Sequence, residues 1–321
     1  MATAMSAQAR DEAYQTLIDA APFDTGYLYG YHSMAARWHT STETLYRFGF
    51  EAEKEDRQGS NVASVYQGDN EELLAHQYRA ERDGSLGIGG FELVSPIYDL
   101  TNDDYLDHLS DPVLNFLIHC SSGFRCGGHM TISRKGADQA YYNAKTAQII
   151  PLMYALYPKR AKLRGYARFF NNGDYNDRYN AVNIKPDSME IRIFAGIKSL
   201  KQLRWRVELL RILFTTDKYE ANMSWATLYE DLLDMSSPIG AHLHRMYRKK
   251  YGEKIMLAAA YAKAYEKQEM EWQDYTRVSR LMPAGVRQKL RVKPAAVIPT
   301  NNPQQLTLDV CDYHQEQPGE A

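Results

Sequence analysis

The chain has 321 residues, 44% hydrophobic and 24% charged, with a formal net charge of −2. That length suits one or two domains with a core needing no disulfide or metal staple, and the near-neutral balance excludes a domain-wide basic excess for gripping nucleic acid. Three cysteines without CxxC spacing point to neither a disulfide framework nor a thiolate zinc site, and no apolar run approaches the roughly 20 residues needed to span a bilayer.

The opening residues carry no apolar signal core, so a soluble, cytoplasmic protein in a reducing compartment is expected. Residues 1–40 read as a mixed N-terminal extension with a short helical stretch at Ala13 to Ala21. From Thr42 the texture becomes alternating. Leu45, Arg47, Gly49, Glu51 and Glu53 fall on one side of an extended strand, and Tyr46, Phe48 and Phe50 on the other. Further strands are predicted at about Ala75 to Arg82, Gly90 to Leu93 and Arg125 to Ser133. Helical spacing covers Asp103 to Cys120 and Asp138 to Tyr157.

In YNAVNIKPDSMEIRIFAG, two β-branched runs flank Lys185-Pro186-Asp187-Ser188, with Pro placed to start a tight turn, so a hairpin is predicted. Beyond Ser199, a serine suited to capping, Leu200, Leu203, Val207, Leu210 and Phe214 recur at helical spacing. More helices are predicted over Trp225 to Leu233, Ile239 to Tyr251 and Lys254 to Met282, followed by an irregular, proline-containing tail over 283–321. Strands therefore concentrate before residue 196 and helices after it, an α+β arrangement. Neither GxGxxG nor GxxxxGK[ST] occurs, which argues against a dinucleotide fold or a P-loop.

Four segments carry candidate chemistry. Glu51 and Glu53, two residues apart on a strand, place carboxylates about 7 Å apart on one face; the plain alternative is a solvated acidic face running on to Glu55 and Asp56. In Met189-Glu190-Ile191-Arg192-Ile193-Phe194, Glu190 shares a face with Arg192. A carboxylate beside a guanidinium can coordinate Mg²⁺ and grip phosphate, or can simply pair across a surface strand. His129 follows Gly127 and Gly128, which permit close approach to the backbone; a lone histidine is more often structural. Glu92, flanked by Phe91 and Leu93, must be paired, protonated or metal-bound if buried.

Taken in order, GFEAE, DGSL with GFELVSP, CGGHM, and a VN strand turning into MEIRIF resemble the amidoligase family, which belongs with the glutamine synthetase and glutamate-cysteine ligase group of carboxylate-amine ligases. The resemblance covers about Leu45 to Gly196. It implies a curved antiparallel sheet forming a funnel-like active site, a catalytic domain over 41–282 with a helical second half, and an ATP- and Mg²⁺- (or Mn²⁺-) dependent ligase making an amide bond through an acyl phosphate. Its partners would be a small-molecule or peptide carboxylate and an amine donor. By the same resemblance Glu51, Glu53, Glu92, His129 and Glu190 are metal ligands, and Arg192 binds phosphate and stabilises the transferring phosphoryl group. Arg168, in LRGYARFF, corresponds loosely to a further nucleotide-binding arginine. Many members carry a second histidine two residues after the first; here that position is Thr131, on what is the substrate side in the group. Because acyl phosphates hydrolyse, a covering loop is expected, and the polar segment Gly59 to Asn70 is its candidate.

Two other readings compete. A non-catalytic binding or scaffold protein on the same fold would neither bind nor consume ATP. The run His244 to Tyr251 interleaves basic and aromatic residues, a pattern compatible with nucleic-acid contact or with a solvated helix face.

Overall fold

The computed structural model describes residues 44–266 except 70–77, 87–88, 162–178 and 222. The expected N-terminal extension, the tail, Arg168 and the continuation of the last helix to Met282 lie outside the described residues.

Alternating side chains build a mixed α and β domain around one open antiparallel sheet. Its strands are β1 (Tyr46–Lys54), β2 (Arg79–Glu81), β3 (Phe91–Val94), β4 (Tyr98–Asp99), β5 (Gly128–Arg134), β6 (Val182–Lys185) and β7 (Ser188–Ile191). The seven strands run in the order β2-β3-β1-β5-β7-β6, with β4 pairing with the start of β1, and every pairing is antiparallel. The long central β1 bonds both β3 and β5, so residues far apart in sequence meet across it.

Register fixes two chemically distinct faces. Phe50 pairs with Met130, Phe48 with Ile132, Ala52 with Leu93, Met130 with Ile191, and Ile184 with Met189, and all of these are buried. This apolar face is the core. Fully burying a side chain of this size contributes about 1.5 to 3 kcal/mol. Helix α4 (Gln139–Leu156) packs against β6 and β7 and against α9 (Tyr251–Glu266). On the other face stand Glu51, Glu53, Glu92, Glu81, His129, Thr131, Glu190 and Asn183, because each pairs directly with another of the set or lies two residues from one.

The hairpin closes through Pro186-Asp187, with Lys185 opposite Ser188, as its turn residues predict. The N-terminus of α6 (Leu200–Thr215) is capped by Ser199, whose Oγ accepts the Gln202 N–H at 3.2 Å. Helix α7 (Trp225–Leu233) has the predicted bounds. The stretch from Asp103 to Cys120 divides into α2 (Asp104–His108) and α3 (Pro112–His119). Pro112 opens α3 while Asp111 accepts the N–H groups of Val113 and Leu114, so a new start is written at that point. Residues 158–161 form the short α5 (Pro158–Ala161), and α8 spans Pro238–Tyr247.

Two expectations are corrected. The segment proposed as a covering loop is helical: α1 runs Arg57–Asp69, and Asp56 Oδ1 accepts the Gln58 N–H at 3.0 Å to start it. A Cβ on Gly59 would lie 2.5 Å from Cys120 Sγ, so the glycine lets α1 seat against the end of α3 instead of looping outward. Strand β1, predicted half-buried, is more enclosed than that: its apolar face is buried throughout, and on its polar face Gly49 and Glu53 are buried while Arg47 and Glu51 stay partly exposed.

Candidate metal centre

The polar face draws its acids from strands separated by up to 139 residues of sequence, Glu51 to Glu190, and packs them around one imidazole. Glu51 is opposite His129, Glu53 is opposite Glu92, Glu92 is opposite Glu81, and Thr131 is opposite Glu190. His129 Nδ1 lies 3.3 Å from Glu51 Oε2 and 3.5 Å from Glu190 Oε1, while its Nε2 lies 3.5 Å from Glu53 Oε1. Glu53, Glu92, His129 and Glu190 are all buried.

Gly127 shows why two glycines precede the histidine. A Cβ there would fall 2.3 Å from His129 Nε2 and 3.1 Å from Glu53 Oε1, so what comes close to this backbone is the protein's own imidazole and carboxylate. Its N–H donates to Glu53 Oε2 at 2.6 Å, which orients that carboxylate.

Two groups of carboxylate and imidazole atoms stand within 4.8 Å of one another: Glu51 with Glu92 and His129, and Glu53 with Asp83 and Glu92. Glu92 belongs to both. Carboxylates this close repel unless a cation lies between them. An oxygen-rich set with a single imidazole fits Mg²⁺ or Mn²⁺ better than zinc, so the donor chemistry present matches the metal the resemblance implies. Burial and the Arg192 charge pull the His129 pKa down, against the opposing pull of Glu53 and Glu190.

Glu190 is held by several partners at once. It pairs with Arg192, accepts from Asn183 Nδ2 at 3.3 Å and lies 3.8 Å from Lys185 Nζ. Burial pushes its carboxyl up, but the surrounding His129, Arg192 and Lys185 charges outweigh it and hold the group ionised. Arg79 similarly neutralises Glu81 at 3.4 Å.

The structure thus brings Glu51, Glu53, Glu92, His129, Glu190 and Arg192 together on one face, while Arg168 lies outside the described residues. Sequence reading assigned no role to Asp83, Asn183 or Arg160. Asp83 opens the turn after β2, where its Oδ1 accepts the Ser85 N–H at 2.8 Å; its place in the DGSL motif was the available signal. Arg160 is buried and donates from one terminal nitrogen to the carbonyls of Phe124 and Arg125 at 3.3 and 3.2 Å, bracing the loop ahead of Gly127. No local pattern marks it.

The basic and aromatic run at His244 to Tyr251 separates into packed aromatics and exposed cations. Met246 and Tyr247 are buried and the Tyr251 hydroxyl donates to the Leu232 carbonyl, while His244, Arg245 and Arg248 to Lys250 are exposed. Tyr247 is thus committed to packing.

No protein-family model matches the chain, and no curated protein matches it. Among solved structures, apo GmaS without ligand is similar at 14% identity and a TM-score of 0.31, over 88% of this chain and 76% of that one. A likeness that faint carries no argument about fold or activity. Among the described residues no helix is long and apolar enough to cross a membrane.

Proposed function

We propose that this chain is an ATP- and Mg²⁺-dependent carboxylate-amine ligase that forms an amide bond, peptide or isopeptide, through an acyl phosphate. One observation carries the reading: buried carboxylates from β1, β3 and β7 surround the His129 ring of β5, with a guanidinium at their edge.

In this reading Glu51, Glu53, Glu92, His129 and Glu190 hold divalent metal, and Asp83 joins Glu53 and Glu92 in the second group. Mg²⁺ or Mn²⁺, when bound, supplies positive charge to neutralise the phosphates and orient an in-line transfer. Arg192, held by Glu190, is positioned to receive charge developing on the transferring phosphoryl oxygens. The acceptor carboxylate attacks the γ-phosphate with ADP leaving, and the amine then displaces phosphate from the acyl phosphate, losing a proton as the amide forms. The sheet supplies rigidity: antiparallel strands hold Glu51, Glu53, Glu92, His129 and Glu190, so little reorganisation accompanies reaction. A funnel around the face and a contribution from Arg168 belong to this proposal.

The test is thermal unfolding with Mg²⁺ and a non-hydrolysable ATP analogue. A ligand at 100 times its dissociation constant adds about 2.7 kcal/mol. A metal-dependent rise that Glu190→Gln removes is the expected result. No shift at saturating ligand refutes the reading and favours the non-catalytic scaffold.

A further inference from the structure

The same polar face changes character toward the far end of the strands. Beyond Glu51, β1 presents Gly49 and then Arg47; beyond His129, β5 presents Thr131 and Ser133; β7 presents Ser188, and β6 presents Lys185. Arg47 is opposite Ser133, and Lys185 is opposite Ser188. Apart from Asp99 of β4, which stands opposite Arg47 on its other side, acids give way to two cations separated by hydroxyls, about 13 Å from Glu51 at a strand rise of about 3.3 Å per residue.

Three observations make this row more than a decorated edge. Arg47 Nε is buried without a partner, and among the described residues Arg47 forms no ion pair. Its charge acts on the Tyr142 phenol, which donates at 2.7 Å to the carbonyl of Asp187 in the turn that follows Lys185. The nearby acids are engaged locally, Asp99 by the N–H and hydroxyl of Thr101, both at 2.7 Å, and Asp187 by Ser188 Oγ at 3.2 Å. Lys185 is half exposed and reaches Glu190 at only 3.8 Å.

We infer that Arg47 and Lys185, with the hydroxyls of Ser133 and Thr131, form an anion seat for a phosphate or carboxylate group of the molecule whose reacting end lies at the acidic cluster. β1 and β6 are three strand spacings apart, about 14 Å, with the Ser133 and Thr131 hydroxyls of β5 standing between the two cations. The inference rests on the ligase reading for which substrate carries the anion: the nucleotide through its phosphates, or the acceptor through a second carboxylate.

The test measures binding by calorimetry to wild type, Lys185→Gln, Arg47→Gln and the double variant, using metal-free pyrophosphate, succinate, propionate and the Mg²⁺ complex of the ATP analogue. Lys185 is exposed enough that Lys185→Gln leaves folding intact and keeps the test decisive if Arg47→Gln does not fold. The seat predicts that Lys185→Gln weakens binding of a dianionic probe, and that the double variant weakens it about tenfold or more. Loss confined to pyrophosphate and the nucleotide assigns the seat to the nucleotide; loss for succinate but not propionate assigns it to the acceptor. Either supports it. Wild-type binding of neither pyrophosphate nor succinate, or unchanged affinity in both Lys185→Gln and the double variant, overturns it. Failure of the Mg²⁺-nucleotide complex alone, with pyrophosphate still bound and still sensitive to Lys185→Gln, refutes the ligase reading and leaves the seat standing.

Discussion

Glu53 and Gly127 hold each other in both directions: the Glu53 N–H donates to the Gly127 carbonyl at 3.1 Å, and the Gly127 N–H donates to Glu53 Oε2 at 2.6 Å. The main-chain bond continues the β1–β5 pairing past the end of β5, and the side-chain bond aims a carboxylate at His129. Strand pairing and site geometry are therefore one construction here. Gly127→Ala should displace both His129 and Glu53, costing about 1 to 3 kcal/mol of stability and weakening Mn²⁺ binding. Paired melting and metal titration check it; wild-type metal affinity in a folded variant would show that the glycine serves only the backbone.

Glu92 is common to both carboxylate groups. Glu92→Gln should accordingly lower Mn²⁺ affinity more than either Glu51→Gln or Asp83→Asn, each of which spares one group. Calorimetric titration of the three variants decides the order, and equal losses would argue against a shared ligand.

Lys54, next to Glu53 but on the apolar face, is fully buried, and its ammonium donates to the carbonyls of Ile118, Cys120 and Ile197. It ties the end of α3 to the chain leading into α6 beneath the site. Lys54→Met strands those carbonyls at about 1 to 3 kcal/mol for each buried group left unsatisfied. The expected outcome is a lower urea midpoint with an unchanged slope; a midpoint equal to wild type would mean that water replaces the ammonium.

Burial, opposed by the Glu220 charge, pulls Lys145 down to about 7, and burial pulls Lys54 down to about 8. An unfolded lysine titrates near 10.4. Above about pH 7 the unfolded chain therefore binds more protons than the folded one, and these lysines make stability rise with pH up to about 10. Between about pH 7 and 8 Lys145 supplies most of that rise. Thermal midpoints across this window should climb less steeply in Lys145→Met, and an identical slope in the two proteins would show that Lys145 is neutral or charged in both states.

Much of the architecture is legible locally. The Ser199 cap, the Pro186-Asp187 turn and the apolar alternation of Tyr46, Phe48 and Phe50 are each governed by interactions within a few residues, and each stands where its spacing predicts. Of the loop expected at Gly59 to Asn70, the part up to Asp69 is a helix, because polar composition hid a local cap at Asp56 and a close approach to Cys120. The break at Asp111-Pro112 within one helical pattern was likewise written in residues whose capping role outweighs periodicity.

By itself the sequence determined which residues alternate, where the turns fall, and that Glu51 with Glu53, and Glu190 with Arg192, share a face, because a strand's period of two is a property of the backbone. Only the tertiary structure decided that Glu51 stands opposite His129 and Glu53 opposite Glu92, that Asp83 joins the acids, and that Arg160 braces the loop before Gly127. Those relationships depend on strand register and on packing between distant segments. Both are set by burial of the opposite, apolar face, and a one-residue slip would turn every acid toward the core.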